Sequence, residues 1–222
     1  MKFKNNKNIT PALHTYIESQ ILPQYSAFDP AHQRNHVDAV IRESMHLATH
    51  FEIDANMVYT IAAYHDLGIG TDRKTHHLIS GNIIRQDIEL SKWFNKEQIE
   101  TMAQAVEDHR ASNKSEPRSV YGKIVAEADR QLDTRTIIER TILYGWSHYP
   151  ELKKQAQLER ACEHLQEKYG EGGYLKLWIP QSENQQRLIE LRRILKNKEE
   201  LLHILEQTYQ ALANMQKTGK QH

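Results

Sequence analysis

Cysteine is almost absent from this chain, and proline and glycine are scarce. The 222 residues include one cysteine, Cys162, with six prolines and nine glycines. A single cysteine excludes an intramolecular disulfide and fits a reducing compartment. Few helix breakers favour uninterrupted helices, and the strand-like alternation of apolar and polar residues is hard to find. These shortages predict an all-α fold.

An excess of one charge and long apolar runs are also missing. Lys plus Arg and Asp plus Glu each number 29, which disfavours a broad basic surface for nucleic acid. No apolar run approaches the roughly 18 residues of a membrane span. The opening MKFKNNKNITPALHTYI lacks the apolar core of a signal peptide. We expect a cytoplasmic protein with no membrane partner.

Helical periodicity divides the chain into two parts. Amphipathic segments with N-cap residues, such as Thr10 and Asp54, fill residues 1–150, and we predict a helical domain there. Residues 151–222 are more charged and read as a C-terminal helical extension. They include one long predicted helix over residues 182–216.

The C-terminal extension leaves two questions open. Its leucines form a partial seam that either packs on the protein itself or supports a homodimer. The aromatic patch YLKLWIP, with Tyr174 and Trp178, either closes over a functional site or anchors the long helix to the core.

Histidine is abundant, with 13 residues, and this prompts a search for metal ligands. Pairs four residues apart, such as His32–His36 and His46–His50, arise easily by chance in so histidine-rich a chain. An ordered series is more informative. The candidates, in chain order, are His36, His65, Asp66, His77, His109 and Asp129.

The stretch TIAAYHDLGIG places His65 and Asp66 after an apolar segment. Adjacent residues point in different directions on a regular helix, so the pair can converge only where the helix ends, as Gly68 and Gly70 indicate. A buried carboxylate is costly unless it is paired or binds a cation. The alternative is a helix-terminal aspartate held by backbone N–H groups and a neighbouring histidine.

The other candidates have alternative roles as well. Asp129 could pair with Arg130, and His109 could cap the end of a helix. Either His76 or His77 could turn inward; we take His77.

The mixed imidazole and carboxylate set suits Mn, Fe, Co, Ni or Zn rather than Ca, with Mg as a further option. His36, His65, Asp66 and Asp129 would form one site. His77 and His109 would add a second ion, with Asp66 as the bridge.

The order His, His-Asp, Asp resembles the HD superfamily of metal-dependent phosphohydrolases. NHVDAVI matches the first His, YHDLG the central pair and AEADRQLD the last Asp, while THHLISG and EDHR resemble the extra histidines of two-metal members. The resemblance covers roughly residues 30–133 and implies an HD-domain helical bundle with additional C-terminal helices.

The resemblance implies a metal-dependent phosphohydrolase in which metal-activated water attacks phosphorus. The Gly-Tyr-Pro signature of cyclic-dinucleotide phosphodiesterases is absent, so we expect a nucleotide or another small phosphorylated metabolite as substrate. Asp66 would be central to catalysis, Arg73 and Lys74 could hold phosphate oxygens, and Asp72 could shuttle a proton. The alternatives are a non-catalytic nucleotide-sensing module and a di-iron oxygenase of the same fold.

Overall fold

The computed structural model describes residues 9–28, 33–113 and 115–219, and the regular elements in these ranges are all helical. The all-α prediction is confirmed. The α-helices are α1 (Pro11–Tyr16), α2 (Arg34–Ala48), α3 (Ala55–Tyr64), α4 (His76–Gln86), α5 (Lys96–Asp108), α6 (Val120–Asp129), α7 (Thr134–His148), α8 (Lys154–Tyr169), α9 (Asn184–Lys196) and α10 (Lys198–Gly219). A π-helix (Ile17–Ile21) and 3-10 helices (Leu22–Ala27, Leu67–Gly70, Ile88–Lys92) lie between them.

The chain divides into two compact units. The first comprises Met1–Arg130 and Leu177–Ser182, and the second comprises Gln131–Lys176 and Glu183–His222. The observed division falls at Arg130 rather than at the expected residue 150, because α7 packs on α8 and α10.

Helix α3 is the centre of the first unit. Its sequence is apolar on all sides, and α2, α5 and α6 pack around it. Asp54 caps its first turn by accepting a hydrogen bond from Asn56 N at 2.9 Å, as the sequence predicts. A helix buried on every side fixes the position of whatever lies at its end, and that is the His65-Asp66 pair.

Residues 177–182 return to the first unit after α8. The backbone N–H groups of Trp178 and Ile179 both donate to Oε2 of Glu127, at 2.7 and 3.3 Å. Glu127 is fully buried on α6, and Ile179 joins the core of this unit. The predicted aromatic patch is therefore divided, since Trp178 belongs to the first unit and the partly exposed Tyr174 to the second.

The second unit contains α7 to α10. The single helix predicted over residues 182–216 is wrong: α9 ends at Lys196 and α10 begins at Lys198. Asn197 leaves the helical conformation, and its side chain accepts a hydrogen bond from Glu200 N at 3.2 Å, which starts a new helix. Four leucines of the partial seam predicted in the C-terminal extension are buried inside this unit, namely Leu188, Leu191, Leu195 and Leu205.

The part of the chain that the structure describes contains no helix with the length and apolar composition needed to cross a membrane.

Replacing Glu127 tests its role as the anchor of residues 177–182. We expect Glu127→Ala to lower the free energy of unfolding by about 2–4 kcal/mol, because two buried N–H groups lose their acceptor. Glu52→Ala, at an exposed position, is the control and should change stability by less than about 0.5 kcal/mol. Urea denaturation measures both, and equal stabilities of the two variants would contradict the anchoring role.

Candidate metal centre

The His65-Asp66 pair lies where α3 ends. His65 keeps a helical backbone, whereas Asp66 has φ −110° and ψ 8° and starts the 3-10 turn Leu67–Gly70. This change of backbone direction lets two adjacent side chains reach the same place. The Asp66 carboxylate makes no capping hydrogen bond to the backbone, so the alternative role of a helix-terminal cap does not hold.

Asp66 lies between two groups of imidazoles. Its Oδ2 is 3.3 Å from His65 Nε2 and 3.5 Å from His36 Nε2. Its Oδ1 is 3.4 Å from both His76 Nε2 and His109 Nε2. The first group is His36, His65 and Asp66, and the second group is Asp66, His76 and His109. In each group, the ligand atoms lie within 4.8 Å of one another. The carboxylate therefore presents one oxygen to each of two separate donor sets.

Four further helices deliver the other three imidazoles and the second carboxylate. His36 lies in the first turn of α2, and His76 is the first residue of α4. His109 directly follows α5, and Asp129 is the last residue of α6. Asp129 Oδ1 lies 3.2 Å from His36 Nε2 and 3.9 Å from His65 Nε2, which places it with the first group. The site is thus built from helix ends.

Three of the four imidazoles are fixed in the same way. Each directs Nδ1 at the carbonyl oxygen three residues earlier: His65 at Ala62 (2.8 Å), His76 at Arg73 (2.8 Å) and His109 at Val106 (2.5 Å). A carbonyl oxygen can only accept, so Nδ1 carries a proton, and in the neutral ring Nε2 is left with a lone pair. This is the outer hydrogen bond that metal-bound histidines characteristically make.

The Nε2 atoms oppose one another within each group. They are 3.3 Å apart for His36 and His65, and 3.2 Å apart for His76 and His109. For His76 and His109, whose Nδ1 atoms both donate to carbonyl groups, two neutral rings would face each other with lone pairs and could form no hydrogen bond, so a proton or a cation is needed between them. Imidazole with carboxylate is a donor set for transition-metal ions, and the residues present therefore fit a divalent metal.

The charged groups of the site shift one another's pKa values. Burial alone would raise the pKa of Asp66, but the surrounding imidazoles, His65 foremost, hold that pKa well below its usual range. Burial would lower the pKa of His36, yet hydrogen bonds to Asp129 and Asp66 raise it to about 9. The carboxylates thus depend on positive charge at the position that a bound cation would take.

His76, and not His77, reaches the cluster. The ring of His77 lies beside that of His76, with 5.5 Å between the centroids, and its Nδ1 has no hydrogen-bond partner among the described residues. The hydrogen bond from His76 Nδ1 to Arg73 O turns His76 inward, and the next residue on a helix points elsewhere. We therefore replace the prediction of His77 with His76.

Gly68 brings α4 close to Asp66. A Cβ at this position would lie 2.3 Å from His76 O and 2.8 Å from Ile79 Cβ. The backbone N–H of Gly68 also donates to Ser80 Oγ at 2.8 Å, which ties the turn to α4. Only a residue without a side chain lets His76 approach the carboxylate this closely.

The basic residues predicted to hold phosphate lie on the loop before α4. Arg73 and Lys74 are exposed, and Arg110 Nη1 donates to Lys74 O, which joins this loop to the residue after His109. Sequence reasoning missed Arg110, although its position next to a predicted ligand was a signal. Asp72 accepts hydrogen bonds from Lys74 N (3.0 Å) and Thr75 Oγ1 (2.6 Å), so its contacts are those of a loop cap, and its proton transfer stays a prediction.

The structure describes one of the two histidine pairs with a four-residue spacing in full and the other only in part. His46 and His50 contact each other edge to face on the surface of α2 and its end. They belong to neither ligand group. His32 lies outside the described residues.

Comparison with known proteins agrees with the arrangement of the ligands. The HD domain family model matches residues 34–131, a range that contains both ligand groups and Asp129. No curated protein and no solved structure matches the chain.

Separate replacement of the two adjacent histidines tests which one binds metal. We expect His76→Ala to lower the Mn²⁺ content by about half, because the second group loses one of its three donors. His77→Ala should leave the Mn²⁺ content unchanged. Elemental analysis of dialysed protein measures both, and the reverse pattern would restore His77 as the ligand.

Gly68→Ala tests the close approach of α4. The added methyl group should displace the start of α4, weaken binding of the second ion and destabilise the protein by about 1–3 kcal/mol. Gly172→Ala is the control, because a Cβ there meets nothing within 4 Å. Calorimetric titration with Mn²⁺ reports the binding, and full stoichiometry in Gly68→Ala would argue against this constraint.

Proposed function

This chain is an HD-domain protein, with its HD domain at residues 34–131, and on that premise we propose that it is a metal-dependent phosphohydrolase. The proposed substrate is a nucleotide or another small phosphorylated metabolite. The observation that carries the proposal is the Asp66 carboxylate shared between two imidazole groups. The complete donor set also argues against a degenerate sensing module.

A bound divalent ion would lower the pKa of water and offset the negative charge that develops on phosphoryl oxygens. His36, His65, Asp66 and Asp129 would hold one ion. Asp66, His76 and His109 would hold a second ion. The Nδ1–carbonyl hydrogen bonds keep the rings oriented whether or not an ion is present, so the donors are preorganised.

A basic rim beside the second group supports an anionic substrate. Arg73, Lys74 and Arg110 lie on the two chain segments that lead into His76 and out of His109. The ring of His77 lies beside that of His76, and its Nδ1 has no partner among the described residues. Guanidinium groups bind phosphate oxygens bidentately, and these side chains could hold the oxygens that do not react.

The finer predictions for this protein remain proposals. They are a Mn, Fe, Co, Ni, Zn or Mg cofactor, a homodimer formed through the C-terminal helices and a cytoplasmic location. The balanced charge favours a small-molecule substrate over nucleic acid.

Activity assays test the proposal. Protein loaded with Mn²⁺, Co²⁺ or Ni²⁺ should release phosphate from one or more nucleotides or small phosphomonoesters. We expect His65→Ala to reduce the rate by about 100-fold or more, because a ligand of the first ion is lost. His50→Ala, a histidine outside both groups, should leave the rate unchanged.

Other outcomes would point to other functions. Nucleotide binding without turnover by metal-loaded wild type would support a sensing module. Oxygen consumption with a mixed-valent iron signal would support an oxygenase. Equal rates for His65→Ala and wild type would show that the observed hydrolysis does not arise at this site.

A further inference from the structure

The hydroxyl group of Tyr25 is a buried group that the proposed chemistry does not use. Tyr25 lies on the 3-10 helix Leu22–Ala27, and its side chain is fully buried. The hydroxyl donates to Ala63 O at 2.9 Å and accepts from Asp66 N at 3.3 Å. One side chain therefore holds the backbone on both sides of His65.

These two backbone groups lie at a helix end, where hydrogen-bond partners from outside the helix are needed. The last carbonyl groups of α3 have no N–H donor left inside the helix, and Asp66 has already left the helical conformation. His65 Nδ1 binds the Ala62 carbonyl, and Tyr25 binds the next one. The backbone N–H of Asp66 donates to the Tyr25 hydroxyl, so this side chain also holds the first residue after the helix.

The same segment supports the turn that follows Asp66. Phe28 packs edge to face on Tyr25, with ring centroids 5.3 Å apart. A Cβ at Gly70 would lie 3.0 Å from Phe28 Cε1, so this ring also contacts the far end of the turn. Residues 22–28 thus brace both ends of the turn that carries the shared carboxylate.

We propose that Tyr25 is a positioning residue for the bridging carboxylate of Asp66. Its hydroxyl sets the backbone orientation of Asp66, so that Oδ1 and Oδ2 face the two imidazole groups at similar oxygen-to-nitrogen distances. The inference rests on the proposed function only in that metal must bind at this site.

Tyr25→Phe removes the hydroxyl and keeps the ring. Tyr121→Phe is a matched control, because Tyr121 OH accepts a hydrogen bond from Asp54 N (3.1 Å) at the opposite end of α3. We expect Tyr25→Phe to bind the second Mn²⁺ about 10- to 100-fold more weakly, the usual cost of losing a group that orients a ligand. The control should bind both ions as wild type does. Calorimetric titration measures affinity, and electron paramagnetic resonance detects the coupled Mn²⁺ pair.

Equal Mn²⁺ affinities and equal resonance spectra for the two variants would overturn the proposal. Hydrogen exchange of metal-free wild type provides a second test that needs neither a folded variant nor bound metal. Protection of the Asp66 amide comparable with amides inside α3 supports the proposal, and exchange as fast as in exposed loops overturns it. Wild type that binds no Mn²⁺ refutes the proposed function, and the exchange measurement then still decides the role of Tyr25.

Discussion

The burial of one carboxylate among four imidazoles is the constraint on which the first unit depends. Asp66 is almost fully buried, and a charged carboxylate in such a place is stable only with positive charge beside it. The chain surrounds it with four Nε2 atoms, and those of His76 and His109 face each other 3.2 Å apart, an arrangement that requires a cation or a proton. The fold therefore places a carboxylate and imidazoles where a bound cation would satisfy both.

The rest of the first unit can be understood as support for this carboxylate. Helix α3 is buried on every side, so its end cannot move without disturbing the core. Tyr25 accepts from the N–H of Asp66 just before the turn, Ser80 accepts from the N–H of Gly68 within it, and the absence of a side chain at Gly68 admits α4. The local hydrogen bonds of the imidazoles fix the ring orientation independently of any distant contact.

Much of this could be predicted without coordinates of any kind. Scarce helix breakers indicated an all-α fold, and the order of histidines and aspartates indicated one centre. The errors occurred where a single local interaction decides the structure. Asn197 interrupts an otherwise continuous helical pattern, because its side chain caps a new helix through one hydrogen bond. The spacing of apolar residues does not indicate such a cap. Arg110 was overlooked because its hydrogen bond to Lys74 O joins residues 36 positions apart, and helical periodicity contains no information about such a contact.

The sequence by itself determined which residue types are available and that His65 and Asp66 lie where a helix ends, since helical periodicity and its interruption depend on residues close in the chain. The tertiary structure decided which of two adjacent histidines turns inward and how the two oxygens of Asp66 are divided. Those choices depend on how closely α4 can approach a turn that lies next to it in space. Packing between elements sets such distances, and a linear pattern contains no information about them.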